Sequence, residues 1–261
     1  MELYKNDFAA LNKQIKDCFY GERGPGDLPV SRSEKKIFGV IGPCFDYKYC
    51  GEAMAWAYKE IGEGKFPELF VILTKGEENS IFVGNSQTPF GFVRTDIDFA
   101  RLLIKNTGFK ENITLGKEAR LQLPFLQFVC KNNLRDLKVL CISINEYDEN
   151  LIKELVKKDI SVILASNLTK FGKGFKYEPF KFNKREEVLR MDEGLIDAFL
   201  DYEKIKEYCK GKNYNTDLFL SFISLMNRLE VKGFRKLVHH DSGEVDQDYE
   251  NFISYLAGVF E

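Results

Sequence analysis

The chain has 261 residues, with 38 basic against 40 acidic side chains and a formal net charge of −2. That balance excludes the broad basic footprint of a nucleic-acid-binding or polybasic membrane-binding protein, because phosphate contacts need clustered Lys and Arg. Its two histidines are adjacent, His239 and His240, too few for a site that draws His from separated elements, a two-His-one-carboxylate iron centre included. With 44% hydrophobic and 30% charged residues the composition is that of a folded domain, and the 23 Phe predict an aromatic core.

No uncharged apolar run approaches the roughly 18 residues that a membrane helix needs. The start of the chain, Met1 to Asp7, lacks the basic and apolar regions of a signal peptide, so a cytoplasmic location is expected. Cys18, Cys44, Cys50, Cys130, Cys141 and Cys209 form no CxxC pair. They are expected to be mostly buried, reduced thiols and not a zinc ribbon or a thioredoxin-type motif.

Taken in chain order, Phe8, Leu11, Ile15 and Cys18-Phe19 recur at helical spacing after the possible caps Asn6 and Asp7. Ile37 to Ile41 is a short apolar run that reads as a buried strand. From Gly51 onward Ala53, Met54, Ala57, Tyr58 and Ile61 mark a helix, and Leu69 to Leu73 is a second core strand, which completes a βαβ unit. Ile81-Phe82-Val83 and Gly91 to Arg94 flank the turn-rich Asn85 to Pro89 and are expected to pair as an antiparallel excursion. Helices follow near 96–106 and 117–131. Leu137 to Ile144 and Ile160 to Ala165, with a helix from Glu149 to Lys157 between them, form another βαβ unit. Three helices come after Phe182, the longest capped by Asn215 or Thr216, and a strand pair near 234–240 and 251–259 closes the chain. No repeat and no linker divides this order. The expectation is one α/β domain over residues 1–261, a mixed central sheet flanked by helices.

The loop from Gly42 to Gly51 leaves the carboxyl end of the first strand, where ligands bind in open α/β sheets. Cys44 is the thiol at that position. As a nucleophile it would need a pKa lowered by the helix that follows, and no separated His can serve as its base, which favours a small side chain filling a tight loop. The loops Thr74 to Glu78 and Ala165 to Lys170 could open on the same crevice, where Glu77, Lys117 and Lys170 would gather. A desolvated Lys beside a carboxylate can do acid-base chemistry; exposed loop charge is the equal alternative. Gly24-Pro25-Gly26 and Gly172-Lys173-Gly174 extend to neither a Walker pattern nor GxGxxG. The acidic run from Asp241 to Glu250 lacks the EF-hand glycine and reads as a solvated turn. If His239 and His240 lie on a strand, they point to opposite faces.

Several segments, in order, resemble the Memo family, known in prokaryotes as the AmmeMemoRadiSam system protein B group. They are Gly24 to Pro29, Pro43 to Gly51, Thr88 to Gly91, Gln122-Leu123-Pro124-Phe125-Leu126-Gln127, Ala165 to Tyr177, and Ser242-Gly243-Glu244-Val245 with Asp248-Tyr249. The resemblance implies a fold similar to class III extradiol ring-cleavage dioxygenases. It also implies a metal site whose first ligand stands in Pro-His-Ala-Gly-Tyr and whose later ligands stand in Ser-Asp-Leu-Ser-His-Tyr. This sequence departs at those points. Cys44 falls at the first His, Glu77 near the second, Lys117 near a third, Asn167 at the Asp and Lys170 at the last His, while Asn215 or Thr216 takes the place of the family's cysteine.

An ammonium group repels a divalent cation and only donates hydrogen bonds. The expectation is therefore a converted pocket that holds no metal and no cofactor, in a protein that binds a protein partner. Its binding residues would be Cys44, Asp46, Tyr47, Glu77, Lys117, Asn167 and Lys170. The alternative is a small-molecule or redox enzyme using Cys44 with Glu77 and Lys170.

Overall fold

A computed structural model describes residues 3–261. Helix α1 (Phe8–Tyr20) begins at Asp7, whose carboxylate accepts the Ala10 N–H and satisfies one of the donors left open at a helix start. Strand β1 (Gly39–Gly42) leads into α2 (Tyr47–Glu63), which starts earlier than the apolar spacing suggests because Asp46 caps it through the Lys48 N–H at 2.9 Å. Then follow β2 (Leu69–Lys75), β3 (Ser80–Phe82), β4 (Ser86–Thr88), β5 (Gly91–Thr95), α3 (Ile97–Thr107), β6 (Lys110–Asn112), α4 (Lys117–Val129), β7 (Lys138–Ile144) and α5 (Glu149–Leu155). The last part holds β8 (Ile160–Ala165), β9 (Lys170–Phe171), α6 (Lys184–Ile196), α7 (Tyr202–Tyr208), α8 (Thr216–Arg228), β10 (Phe234–Asp241), α9 (Gly243–Asp246) and β11 (Phe252–Phe260).

The strands join in the order β10-β11-β1-β8-β2-β7-β3-β6, with the hairpin β4-β5 and the short β9 attached at its sides. β1, β8, β2 and β7 run parallel, and β11 is antiparallel to β1, so the sheet is mixed as expected. Each βαβ crossover skips one strand: β8 lies between β1 and β2, and β2 lies between β8 and β7. Successive side chains of a strand point to opposite faces, which splits the apolar runs between two cores. Leu69, Val71 and Leu73 of β2 join Leu140, Ile142 and Ile144 of β7 beneath α3, α5 and α8. Phe70 and Ile72 join Val139, Cys141 and Ile163 on the other face, beneath α2 and α4. Two helical layers thus enclose one sheet, which explains why the central strands read as continuous apolar runs.

Some expectations change. Ile81-Phe82-Val83 does not pair with Gly91 to Arg94. β7 offers a free edge on which β3 pairs antiparallel near one end, at Ser143 and Ile142, and β5 pairs parallel near the other, at Lys138 and Val139. The residues Ser86-Gln87-Thr88, which read as a turn, form β4 against β5. α8 follows Asn215, which makes no side-chain cap bond, and is the same length as α6. The acidic run is only partly solvated. Asp241 is fully buried and accepts from Arg185 Nε at 2.7 Å, while Glu244 is paired with Arg185 and with Arg23.

One buried amide ties the layers together below the β1 loop. Gln122 of α4 is fully buried, accepts from the Tyr58 hydroxyl at 3.0 Å and donates to the Pro43 carbonyl at 2.9 Å. A Cβ on Gly42 would lie 2.7 Å from the same amide oxygen, so the close approach requires glycine. Pro124 sits inside α4, where it removes a helix hydrogen bond, and the Tyr47 hydroxyl donates to the Leu121 carbonyl in the same turn at 2.5 Å. Gln122→Leu keeps the volume but leaves buried polar partners unpaired. We expect a loss of about 2 kcal/mol, measured by urea denaturation followed by circular dichroism.

Candidate functional site

The register Gly42↔Ala165 between β1 and β8 brings the two loops that leave their carboxyl ends side by side. Across this gap the Cys44 N–H donates to Asn167 Oδ1 at 3.0 Å, and Asn167 Nδ2 donates back to the Cys44 carbonyl at 3.4 Å. Asn167 is only 5% exposed, so the pair acts as an extra rung that continues the sheet between the loops. Burial pushes the Cys44 thiol up to about 12 and the Glu118 carboxylate adds to the shift; the charges of Lys170 and Lys117 and the hydrogen bond with Asn167 oppose it. The charged groups that act on the thiol are therefore one carboxylate and two ammonium groups, and the Lys117 Nζ lies 5.9 Å from the Phe45 ring centre.

The other expected residues divide differently. Asp46 is the cap of α2 and Tyr47 is buried against Tyr4 and Phe125, so both serve the scaffold at this point. Glu77 stands exposed in the turn after β2. Asn79 Oδ1 accepts from the Asn145 and Glu146 N–H groups at 2.7 and 3.0 Å, which draws that turn towards the loop after β7 and away from Cys44. The carboxylate that acts on the thiol is Glu118, next in sequence to Lys117. Asn215 donates to Ser166 Oγ at 3.4 Å and so contacts the β8 loop.

A second polar centre holds the far end of the same loop, and the sequence reading missed it. Asp192 of α6 is fully buried and accepts on one oxygen from Thr169 at 2.6 Å and from Tyr214 at 2.7 Å. His239 of β10 lies against it, Nε2 3.7 Å from the other Asp192 oxygen and 3.0 Å from Ser254 Oγ, with Nδ1 2.9 Å from Glu193. Lys236 closes the group at 2.7 Å from Glu193. A buried carboxylate is costly unless paired and hydrogen-bonded, and this one is surrounded by two hydroxyl donors and an imidazole. Burial alone would lower the His239 pKa, but Asp192 and Glu193 outweigh it and the net shift is upward. The signal was present in α6: Asp192 stands among Val188, Met191, Leu195 and Ile196, an acid on an apolar stripe. His240 points the other way, to Glu244 at 3.0 Å, as the alternation of a strand requires.

Among the described residues no three His, Cys, Asp or Glu side chains come together in positions able to hold a metal ion. No helix among them is long and apolar enough to cross a membrane. The molecule is thus an open α/β protein whose β1 and β8 loops meet at Cys44 and Asn167, with the exposed Lys117 and Lys170 acting on the thiol. It belongs to the Memo-like family, whose family model matches residues 2–259. It is similar to a MEMO1 family protein of Methanobrevibacter smithii, 28% identical over 99% of this chain and 96% of that relative. A MEMO1 family protein of Methanopyrus kandleri is 25% identical over 99% of this chain and 96% of its own length. One from Methanothermobacter thermautotrophicus is 34% identical over a shorter stretch, 49% of this chain and 50% of the relative.

The His239 group sets a pH dependence of stability. With a raised folded pKa, its contribution is complete below the unfolded value of about 6.5 and is lost as pH rises through the folded value. Urea unfolding at a series of pH values should show this alkaline decline in the wild type. In His239→Gln the part of the slope just above pH 6.5 or so should be absent.

Proposed function

We propose that this Memo-like chain is a protein-binding module of the cytoplasm that carries out no metal-dependent catalysis. The observation that carries the reading is the surroundings of Cys44: a half-buried thiol with a raised pKa, whose backbone is clasped by Asn167 and on which the cations Lys170 and Lys117 act. Structural and catalytic zinc sites use at least three protein ligands of thiolate, imidazole or carboxylate type. Here one thiol with a high pKa and the single carboxylate of Glu118 are accompanied by an amide already engaged and two ammonium groups, which leaves fewer than three ligands, so the residues around Cys44 do not fit a metal ion. A thiol that stays neutral at physiological pH is also a poor nucleophile, which disfavours the enzyme alternative in which Cys44 attacks a substrate. The scaffold motifs, by contrast, retain structural work: Gln122 braces the Pro43 loop and Asp241 anchors Arg185. The absence of a disulfide among the six cysteines supports the cytoplasmic part of the proposal.

The test is the metal content of purified protein, wild type and Cys44→Ala, by plasma mass spectrometry after growth in medium containing iron, copper and zinc. The expected result is metal far below one ion per chain in both. A near-stoichiometric metal that disappears in Cys44→Ala would overturn the proposal.

A further inference from the structure

Away from the crevice, α1 and the carboxyl end of α4 enclose a groove of about 210 Å³ whose apolar walls are Phe8, Phe90, Phe128 and Leu134. Phe8, at the start of the amphipathic α1, is 62% exposed and stands edge-on to Phe90 at 5.3 Å between ring centres. Leu134 is 41% exposed, whereas Phe128 is 8% exposed and forms the floor. Lys16, two turns along α1 from Phe8, and Lys131 add the only charged side chains that line the groove among the described residues. Neither is within 4.0 Å of a carboxylate among the described residues. Small-molecule pockets usually measure roughly 300–1,000 Å³, so this groove is sized for a side chain and not for a whole ligand.

We propose that the groove is a docking site for a short acidic segment of a partner protein, one aromatic or aliphatic side chain entering between Phe8 and Leu134 while neighbouring Asp or Glu residues meet Lys16 and Lys131. This rests on the reading of the chain as a protein-binding module and assigns the surface and the chemistry of the partner. The argument for the occupant is charge complementarity: apolar walls alone would take any greasy segment, whereas two lysines with no carboxylate within 4.0 Å among the described residues select a segment that carries carboxylates. The apolar anchor supplies affinity, and the lysines at the rim supply selection and salt dependence.

The test pans a random peptide library displayed on phage against the full chain and measures the enriched peptides, synthesised with a fluorophore, by anisotropy. Enriched peptides should share an aromatic or aliphatic residue next to Asp or Glu. Their affinity should fall roughly tenfold or more with Phe8→Ser and with Lys16→Glu combined with Lys131→Glu, and should weaken with added salt. Phe8, Lys16 and Lys131 are not in the core, and circular dichroism verifies that the variants remain folded. No enrichment, or enriched peptides that bind these variants as well as the wild type, overturns the proposal. If binding is lost instead with Lys117→Glu or Lys170→Glu, the groove assignment fails while the binding-module reading stands. A dimer in sedimentation velocity that Phe8→Ser abolishes would make a second copy the occupant and overturn the peptide assignment.

Discussion

The insertion of β8 between β1 and β2 is the constraint on which the site depends. Parallel pairing of Gly42 with Ala165 sets the end of each strand level with the other, so that the chain beyond them emerges as two adjacent loops. Two residues past each strand end, Cys44 and Asn167 then meet and exchange backbone-to-amide hydrogen bonds. A parallel strand cannot enter this position through a tight hairpin. It arrives from β7 by way of α5, and the crossover lays α5 over one face of the sheet, where α8 later packs against it. The other face is sealed by α2 and α4, where Gln122 reaches across to hold the Pro43 carbonyl.

The β8 loop is held at both ends by groups of different character. At its start the contacts are amide to backbone and carry no charge. At its end Thr169 donates to the buried Asp192, which also accepts from Tyr214 and lies against His239. Lys170, immediately after Thr169, therefore springs from a firmly placed backbone and pairs within β9 against Ile253 of β11. The fold therefore fixes the backbone from which the exposed Lys170 side chain acts on Cys44.

Much of this architecture was legible in the sequence because the apolar runs have strand length and the helices between them keep a 3.6-residue spacing. The partner of a short strand was not legible. β3 and β5 are chosen by the free edge of β7, a residue pattern far along the chain. Order along the chain likewise placed Glu77 at a loop but could not say which way the loop bends; Asn79 turns it towards Asn145. Asp241 looked like one of several solvated acids, since its partner Arg185 lies 56 residues away, and burial raises its pKa while Arg185 opposes the rise. Asp192 was the readable exception, an acid at an apolar helix position that called for buried donors. The family motifs carried the scaffold correctly because they contain the residues that brace it, Gln122 above all.

The central claim is that Cys44, half-buried where the β1 and β8 loops meet, is a neutral thiol. Peptide-resolved mass spectrometry of iodoacetamide labelling across a pH series measures this directly. The account predicts that the Cys44 labelling rate keeps rising through the alkaline range without a plateau, as a thiol pushed up to about 12 requires. A plateau with a midpoint at or below the ordinary cysteine value of about 8.5 would contradict it, because it would place a thiolate at the mouth of the crevice, ready for a metal or a substrate.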